Sequence, residues 1–135
     1  MDTSFHEIAR ALDAYFDGFY EGDIEKLEQI FHAGAHLYSA ADGPLQDDPM
    51  EAVYARVRGR TPPAAQHQKR QDRILMIDRA GSESALAKVQ LAIGAKLFTD
   101  YLTLLRLDGR WRIISKTYTY VPIAVEVEQG AAAAE

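Results

Sequence analysis

Cysteine is absent from this 135-residue chain, which excludes disulfide frameworks, thiol nucleophiles and cysteine-ligated zinc together. Histidine is scarce. The four residues at positions 6, 32, 36 and 67 show no metal-ligand spacing beyond His32/His36, and that interval falls at an expected helix-to-strand boundary where it defines no shared face. No metal is expected. A phosphate loop, a dinucleotide fingerprint and a Ser/His/Asp arrangement are also missing, so no cofactor is expected either. No apolar run approaches membrane-spanning length, and MDTSFHEIARALDAYF has neither the basic nor the apolar region of a signal peptide, so a soluble, cytoplasmic chain is the expectation. A basic surplus is lacking as well: the formal net charge is −5. Arg56, Arg58, Arg60, Lys69, Arg70 and Arg73 form a basic stretch, but without interleaved aromatics it reads as solvated surface rather than a nucleic-acid interface.

What is present fits one domain with its own core. The chain is 47% hydrophobic and 26% charged, within the ordinary globular range, and has no internal repeat. Ser4 and Glu7 fit a capping box that opens a helix. Phe5, Ile8, Leu12, Tyr15, Phe16 and Phe19 then recur at helical spacing until Gly22 supplies a stop. Asp23 can cap a second short helix whose Ile24, Leu27, Ile30 and Phe31 face the core. His36 to Ala40 alternates weakly as a short strand, broken by Gly43-Pro44. Asp48-Pro49-Met50-Glu51 opens a third helix with an N-cap acid and a proline at its first position; Met50, Val53, Tyr54 and Val57 make its buried side.

After the connector Arg60 to Gln68, four β-like runs follow: Lys69 to Arg79, Ser84 to Ile93, Lys96 to Leu107 and Arg110 to Tyr120. They form an antiparallel meander, so the class is α+β, with helices on one face of a curved sheet. The domain is expected over 1–122, and the tail 123–135, without hydrophobic pattern, is expected to be frayed or disordered.

The last hairpin organises the rest. Asp108-Gly109 suits a type I′ turn, which needs positive φ at both central residues. Leu107 should then pair with Arg110, Leu105 with Arg112, Thr103 with Ile114, Tyr101 with Lys116 and Thr99 with Tyr118. These pairs share one face, and Arg106/Trp111, Leu104/Ile113, Leu102/Ser115 and Asp100/Thr117 share the other. Both faces are substantially apolar, so both should be covered, one by the helices and the other by something else such as a second subunit.

The aromatic-rich first helix, Gly22-Asp23-Ile24-Glu25-Lys26-Leu27, Phe31 with Ala35-His36-Leu37-Tyr38, and the ending Leu107-Asp108-Gly109-Arg110-Trp111-Arg112-Ile113 resemble the nuclear transport factor 2-like superfamily. The run Trp111 to Lys116 is similar to the group labelled putative lumazine-binding, related to ketosteroid isomerase and the SnoaL-like cyclases. The resemblance covers about Phe5 to Pro122. It implies a cone with a deep cavity between the sheet's concave face and the helices, and a homodimer through the outer face. Members include isomerases, dehydratases, epoxide hydrolases and cyclases, so fold alone does not choose a reaction.

The resemblance also selects a pocket face. Lys116 falls near the catalytic acid of the cyclases and Thr103 near the proton-donating acid of ketosteroid isomerase. The implied wall carries Lys88, Gln90, Thr99, Tyr101, Thr103, Leu105, Ile114, Lys116 and Tyr118, closed from the helices by Tyr15, Phe19, Met50 and Tyr54. Phe98, Leu102, Leu104, Trp111 and Ile113 would form the outer face. Tyr15 matches the isomerase tyrosine that donates to a developing oxyanion, against the plainer reading of a core tyrosine. Ser39 and Thr103 occupy the two acid positions; a hydroxyl is a poor base at neutral pH, so steroid isomerisation as such is not expected.

Lys116 could hold a ligand anion, act as a base or Schiff-base amine, or simply lay its stem along the wall. If a bulge shifts the strand by one residue, Asp100 turns inward and becomes a buried acid/base carboxyl. Two functions are therefore expected to compete. One is a pocket protein for a small, anionic organic ligand, with Tyr15, Lys116 and Asp100 as catalytic candidates in a cofactor-independent isomerase, dehydratase or cyclase. The other is a dimeric scaffold without activity.

Overall fold

The computed structural model describes residues 4–128. Helix α1 (Ser4–Glu21) buries Ile8, Leu12, Tyr15, Phe16 and Phe19 along one stripe, as the spacing predicts, while Phe5 at the first turn is left exposed. Gly22, at φ +69°, ends the helix, and Asp23 then caps α2 (Ile24–Ile30) by accepting from the Lys26 amide at 3.3 Å. The two helices touch closely at Gly18. A methyl group there would sit 2.6 Å from Leu27 Cδ2, so only glycine fits the crossing.

Strand β1 (Phe31–Ser39) follows α2 directly, longer than the alternation suggested, and pairs antiparallel with the short β2 (Gln46–Pro49). Helix α3 (Met50–Gly59) starts one residue later than expected, with Pro49 as its N-cap. Asp48 is not the cap because its Oδ2 accepts from Gln46 Nε2 at 2.8 Å and Arg56 Nη1 at 3.0 Å. A 3₁₀ turn over Pro63–Gln66 leads to the meander β3 (Arg73–Ala80), β4 (Ser84–Ile93), β5 (Lys96–Leu107) and β6 (Arg110–Pro122).

The sheet order is β2-β1-β6-β5-β4-β3. The meander is antiparallel, but β1 lies parallel to β6, so the curved sheet is mixed rather than wholly antiparallel. Its concave face carries Ala85, Ala87, Val89, Leu91, Leu102, Leu104, Trp111 and Ile113 into one core with the helices. No described helix is long and apolar enough to cross a membrane.

Asp108 and Gly109 adopt φ 51° and 77°, the predicted type I′ turn, and Leu107/Arg110 and Leu105/Arg112 pair as expected. Beyond Leu104/Ile113 the register moves: Thr103 pairs with Ser115, Leu102 with Lys116, Tyr101 with Thr117 and Asp100 with Tyr118. Ile114 is the unpaired extra residue of a β-bulge, which lets β6 bend while keeping Trp111, Ile113, Lys116 and Tyr118 on the concave side.

Two expectations are corrected by which face of the hairpin the core covers. Leu102, Leu104, Trp111 and Ile113 are buried core rather than outer face. Tyr101 and Thr103 are exposed, and Lys88 opposite Tyr101 and Gln90 opposite Thr99 lie with them on the convex side, away from the cavity. The expected frayed tail is also corrected in part. Ile123 donates to the Ala95 carbonyl at 2.9 Å, Lys69 to that of Glu126 at 2.8 Å and Glu128 to that of His67 at 2.9 Å, so 123–128 runs as a strap; the remainder, 129–135, lies outside the described residues.

Candidate functional site

A cavity of about 460 Å³ opens between α3 and the concave ends of β1, β5 and β6. Phe19, Leu37, Val53, Val57, Phe98, Tyr118 and Tyr120 give it an apolar and aromatic wall, and Ser39 lies on its surface with Oγ accepting from the Ala41 amide at 3.1 Å. Its charged lining is uneven: Arg56, Arg60, Lys96 and Lys116 against Asp42.

Lys116 forms the floor. Its side chain is almost wholly buried, and Nζ stands 4.7 Å from the Phe19 ring centre and 5.2 Å from those of Tyr15 and Tyr118. Such contacts with ring faces stabilise a cation by about 0.5–2 kcal/mol each. Beneath it, 3.4 Å away, is Oδ2 of Asp100, a fully buried carboxyl. The same oxygen accepts a hydrogen bond from the Tyr15 hydroxyl, and Oδ1 has no hydrogen-bond partner among the described residues. Tyr15 and Asp100 do not line the cavity; Lys116 is the member of the trio that reaches it.

Burial governs the protonation of all three. It pushes the Asp100 carboxyl up, against the opposing pull of the Lys116 charge, and pushes the Lys116 amine down, against the charge of Asp100. Tyr15 is raised well above the ordinary phenol value by burial and then by Asp100, so it remains a donor. The proton between Asp100 and Lys116 is thus held by two groups that both resist being charged, which suits proton transfer.

Arg60 completes the electrostatics. It follows the last residue of α3, and its guanidinium carbon lies 5.9 Å from the centre of the Phe19 ring that Lys116 also approaches. Burial and then the neighbouring Arg56 pull its pKa down. Among the described residues Arg60 forms no ion pair, whereas Arg56 is paired with Asp48 at 3.0 Å.

Of the residues singled out from the sequence, the fold brings Phe19, Ser39, Lys116 and Tyr118 to the cavity and Tyr15 and Asp100 beneath it. Met50 is buried core and Tyr54 points away, toward Glu28 and Arg112, and neither lines the cavity. Lys88 lies 5.4 Å from the Tyr101 ring centre on the convex face, and Gln90 Nε2 donates to Thr99 Oγ1 there at 3.1 Å. Of the two hydroxyls standing at the acid positions, Ser39 lines the cavity and Thr103 meets Ser115 Oγ on the exposed side, while a buried carboxyl, Asp100, lies beneath the floor.

Arg56, Arg60, Tyr120 and Asp42 were missed. Arg56 in the last turn of α3 and Arg60 at its C-cap both reach the cavity, a relation hidden by reading the whole basic run as solvated. Gln68 was missed as well. Its buried amide donates to the Gly94 carbonyl at 2.8 Å and accepts from the Gly94 amide at 2.9 Å, fixing the β4–β5 turn at the cavity rim.

Comparison with known proteins agrees with this architecture. No curated protein matches the chain. Among solved structures, an NTF-2 like protein of unknown function from Silicibacter pomeroyi is 26% identical, with TM-score 0.79 over 90% of this chain and 100% of the other. A second, from Shewanella baltica, is 25% identical, with TM-score 0.79 over 88% and 94%. A ketosteroid isomerase-like protein from Erwinia carotovora atroseptica shares the fold at 10% identity, with TM-score 0.69 over 90% and 98%. The family model described as "Putative lumazine-binding" matches residues 3–119, and the chain therefore belongs to that family, within the NTF2-like superfamily.

Proposed function

We propose that the chain binds a small, planar organic anion in this cavity and moves a proton on it by cofactor-independent acid/base chemistry. The observation that carries the reading is Arg60: a partly buried guanidinium without an ion-pair partner among the described residues, facing the same cavity as Lys116. Burying such a charge is costly unless an anion meets it, and a carboxylate matches its two-pronged geometry. Phe98, Tyr118 and Tyr120 offer ring faces to a flat ligand, a shape in keeping with the family description. Lys116 is the group that gives or takes the proton, Asp100 stores it, and Tyr15 holds Asp100 in place.

The test is thermal unfolding in the presence of aromatic carboxylates, lumazine and other pteridines, and steroids, repeated with Arg60→Met. A carboxylate at a hundred times Kd should stabilise the protein by about 2.7 kcal/mol. Arg60→Met should weaken it about tenfold or more, as expected for loss of a charge-assisted hydrogen bond. Stabilisation by neutral compounds alone, or an acid indifferent to Arg60→Met, would count against the reading.

The convex face, where Met76, Tyr101 and Leu105 are exposed, is in this reading the surface that pairs with a second copy of the chain. Sedimentation at rising concentration should give a dimer, and Tyr101→Glu should shift it toward monomer.

A further inference from the structure

We propose that Lys116 is a nucleophile that condenses with the carbonyl group of a small oxo acid, forming an imine at the cavity floor while Arg60 holds the acid's carboxylate. The proposal rests on the anion-binding reading above and adds the substrate class and the bond that forms. A lysine serving only as a buried ion-pair partner has no need to end at a cavity. Here Lys116 does, its side chain almost wholly buried and its Nζ 4.7–5.2 Å from the ring centres of Tyr15, Phe19 and Tyr118, so that lost hydration works against the ammonium that the rings attract.

The place for the displaced proton is also built. Asp100 contacts Nζ through Oδ2 at 3.4 Å, and its Oδ1 is buried without a hydrogen-bond partner among the described residues. An ionised carboxylate with one oxygen unsatisfied is costly, whereas a carboxylic acid leaves less charge stranded. With the proton on Asp100, Lys116 is the free amine that addition requires. Its nitrogen lone pair forms a bond to the carbonyl carbon. The two amine protons then leave with the carbonyl oxygen as one water, Asp100 relaying them from nitrogen, and the C=N bond remains. No oxidant or second substrate is needed.

Substrate class follows from the two cations. Arg60 lies 5.9 Å and Lys116 4.7 Å from the centre of one ring, Phe19, and both line the cavity. A ligand with a carboxylate at one end and an aldehyde or ketone at the other meets both, and a flat one lies against Tyr118.

The experiment is to incubate the protein with 4-carboxybenzaldehyde, glyoxylate or benzaldehyde under sodium cyanoborohydride, and to locate adducts by peptide mapping. The expected result is one reduced adduct on Lys116 at neutral pH, formed faster from the two acids than from benzaldehyde, with Lys26, Lys69, Lys88 and Lys96 labelled more slowly. Asp100→Asn should slow labelling about a hundredfold, the size of a proton-transfer contribution. Arg60→Met keeps the amine and should abolish the preference for the acids. That variant leaves the buried pair untouched, so it tests the proposal even if Asp100→Asn fails to fold.

Labelling spread evenly over the lysines, or equal for benzaldehyde and its carboxylated form, would overturn the proposal. Reversible thermal stabilisation by 4-carboxybenzaldehyde without a trapped adduct would overturn the imine alone and leave the anion pocket standing. Neither stabilisation nor adduct by any oxo acid would remove both.

Discussion

Lys116 and Asp100 meet diagonally across β5 and β6: Lys116 is paired with Leu102 and Asp100 with Tyr118, yet Nζ and Oδ2 lie 3.4 Å apart in the interior. The contact exists because the Ile114 bulge returns Lys116 to the concave face. Without it the same residue pairing would send one of the two outward.

Removing one partner of such a pair costs more than removing both. Lys116→Met should destabilise the protein by about 3 kcal/mol at neutral pH, and the loss should shrink on acidification as Asp100 takes up a proton instead. Asp100→Leu with Lys116→Met should come within about 1 kcal/mol of the parent, since apolar replacement of buried pairs is often neutral. Urea unfolding of the four-member cycle measures the coupling. Additive losses would mean that the pair does not act as a unit.

Stability should depend on pH through the same pair. Burial raises Asp100, so the native state binds that proton more tightly than the unfolded chain. Its contribution is complete below the ordinary carboxylate range and is lost as pH rises through the folded value. Burial lowers Lys116, so the reverse holds: its contribution is complete above the ordinary lysine range and is lost as pH falls through the folded value. Relative to the double variant, stability should pass through a minimum between those two ranges and recover toward both ends. A difference curve that is flat with pH would contradict the assigned directions.

Gln68→Leu should loosen the cavity rim. It removes both hydrogen bonds to Gly94 and leaves a half-buried amide and carbonyl to be met by water, at about 1 kcal/mol for each bond lost. Hydrogen exchange at Gly94 and Ala95 should accelerate more than exchange at Leu102, in the centre of β5. Uniform acceleration would mean global destabilisation instead.

Much of the fold is local and could be read from the chain. The α1 stripe needs only a period of 3.6, the Asp23 cap only one side chain and one amide, and the Asp108-Gly109 turn only the steric freedom of two residues. Each of these depends on neighbours within a few positions, so composition and order suffice. Gly18 is an intermediate case. Its helix was legible, but its reason for being glycine belongs to the crossing of two helices, where Leu27 of α2 would lie 2.6 Å from any methyl group at that position.

The site lay beyond local reading for one physical reason. Strand periodicity assigns faces only relative to one another, and a single bulge reverses the assignment for everything past it. Hairpin chemistry alone therefore specified the pairs near the turn but not which face is covered: the core takes the face of Asp100, Leu102 and Leu104, and Ile114, an ordinary β-branched residue with no turn signal, brings Lys116 onto that same face. From its sequence by itself the chain determined an α+β fold with helices over a meander and named Lys116, Tyr15 and Asp100 as candidates. Only the tertiary structure decided that these three form one buried cluster and that Arg60 faces the same cavity, because both relations join residues from separate elements through packing.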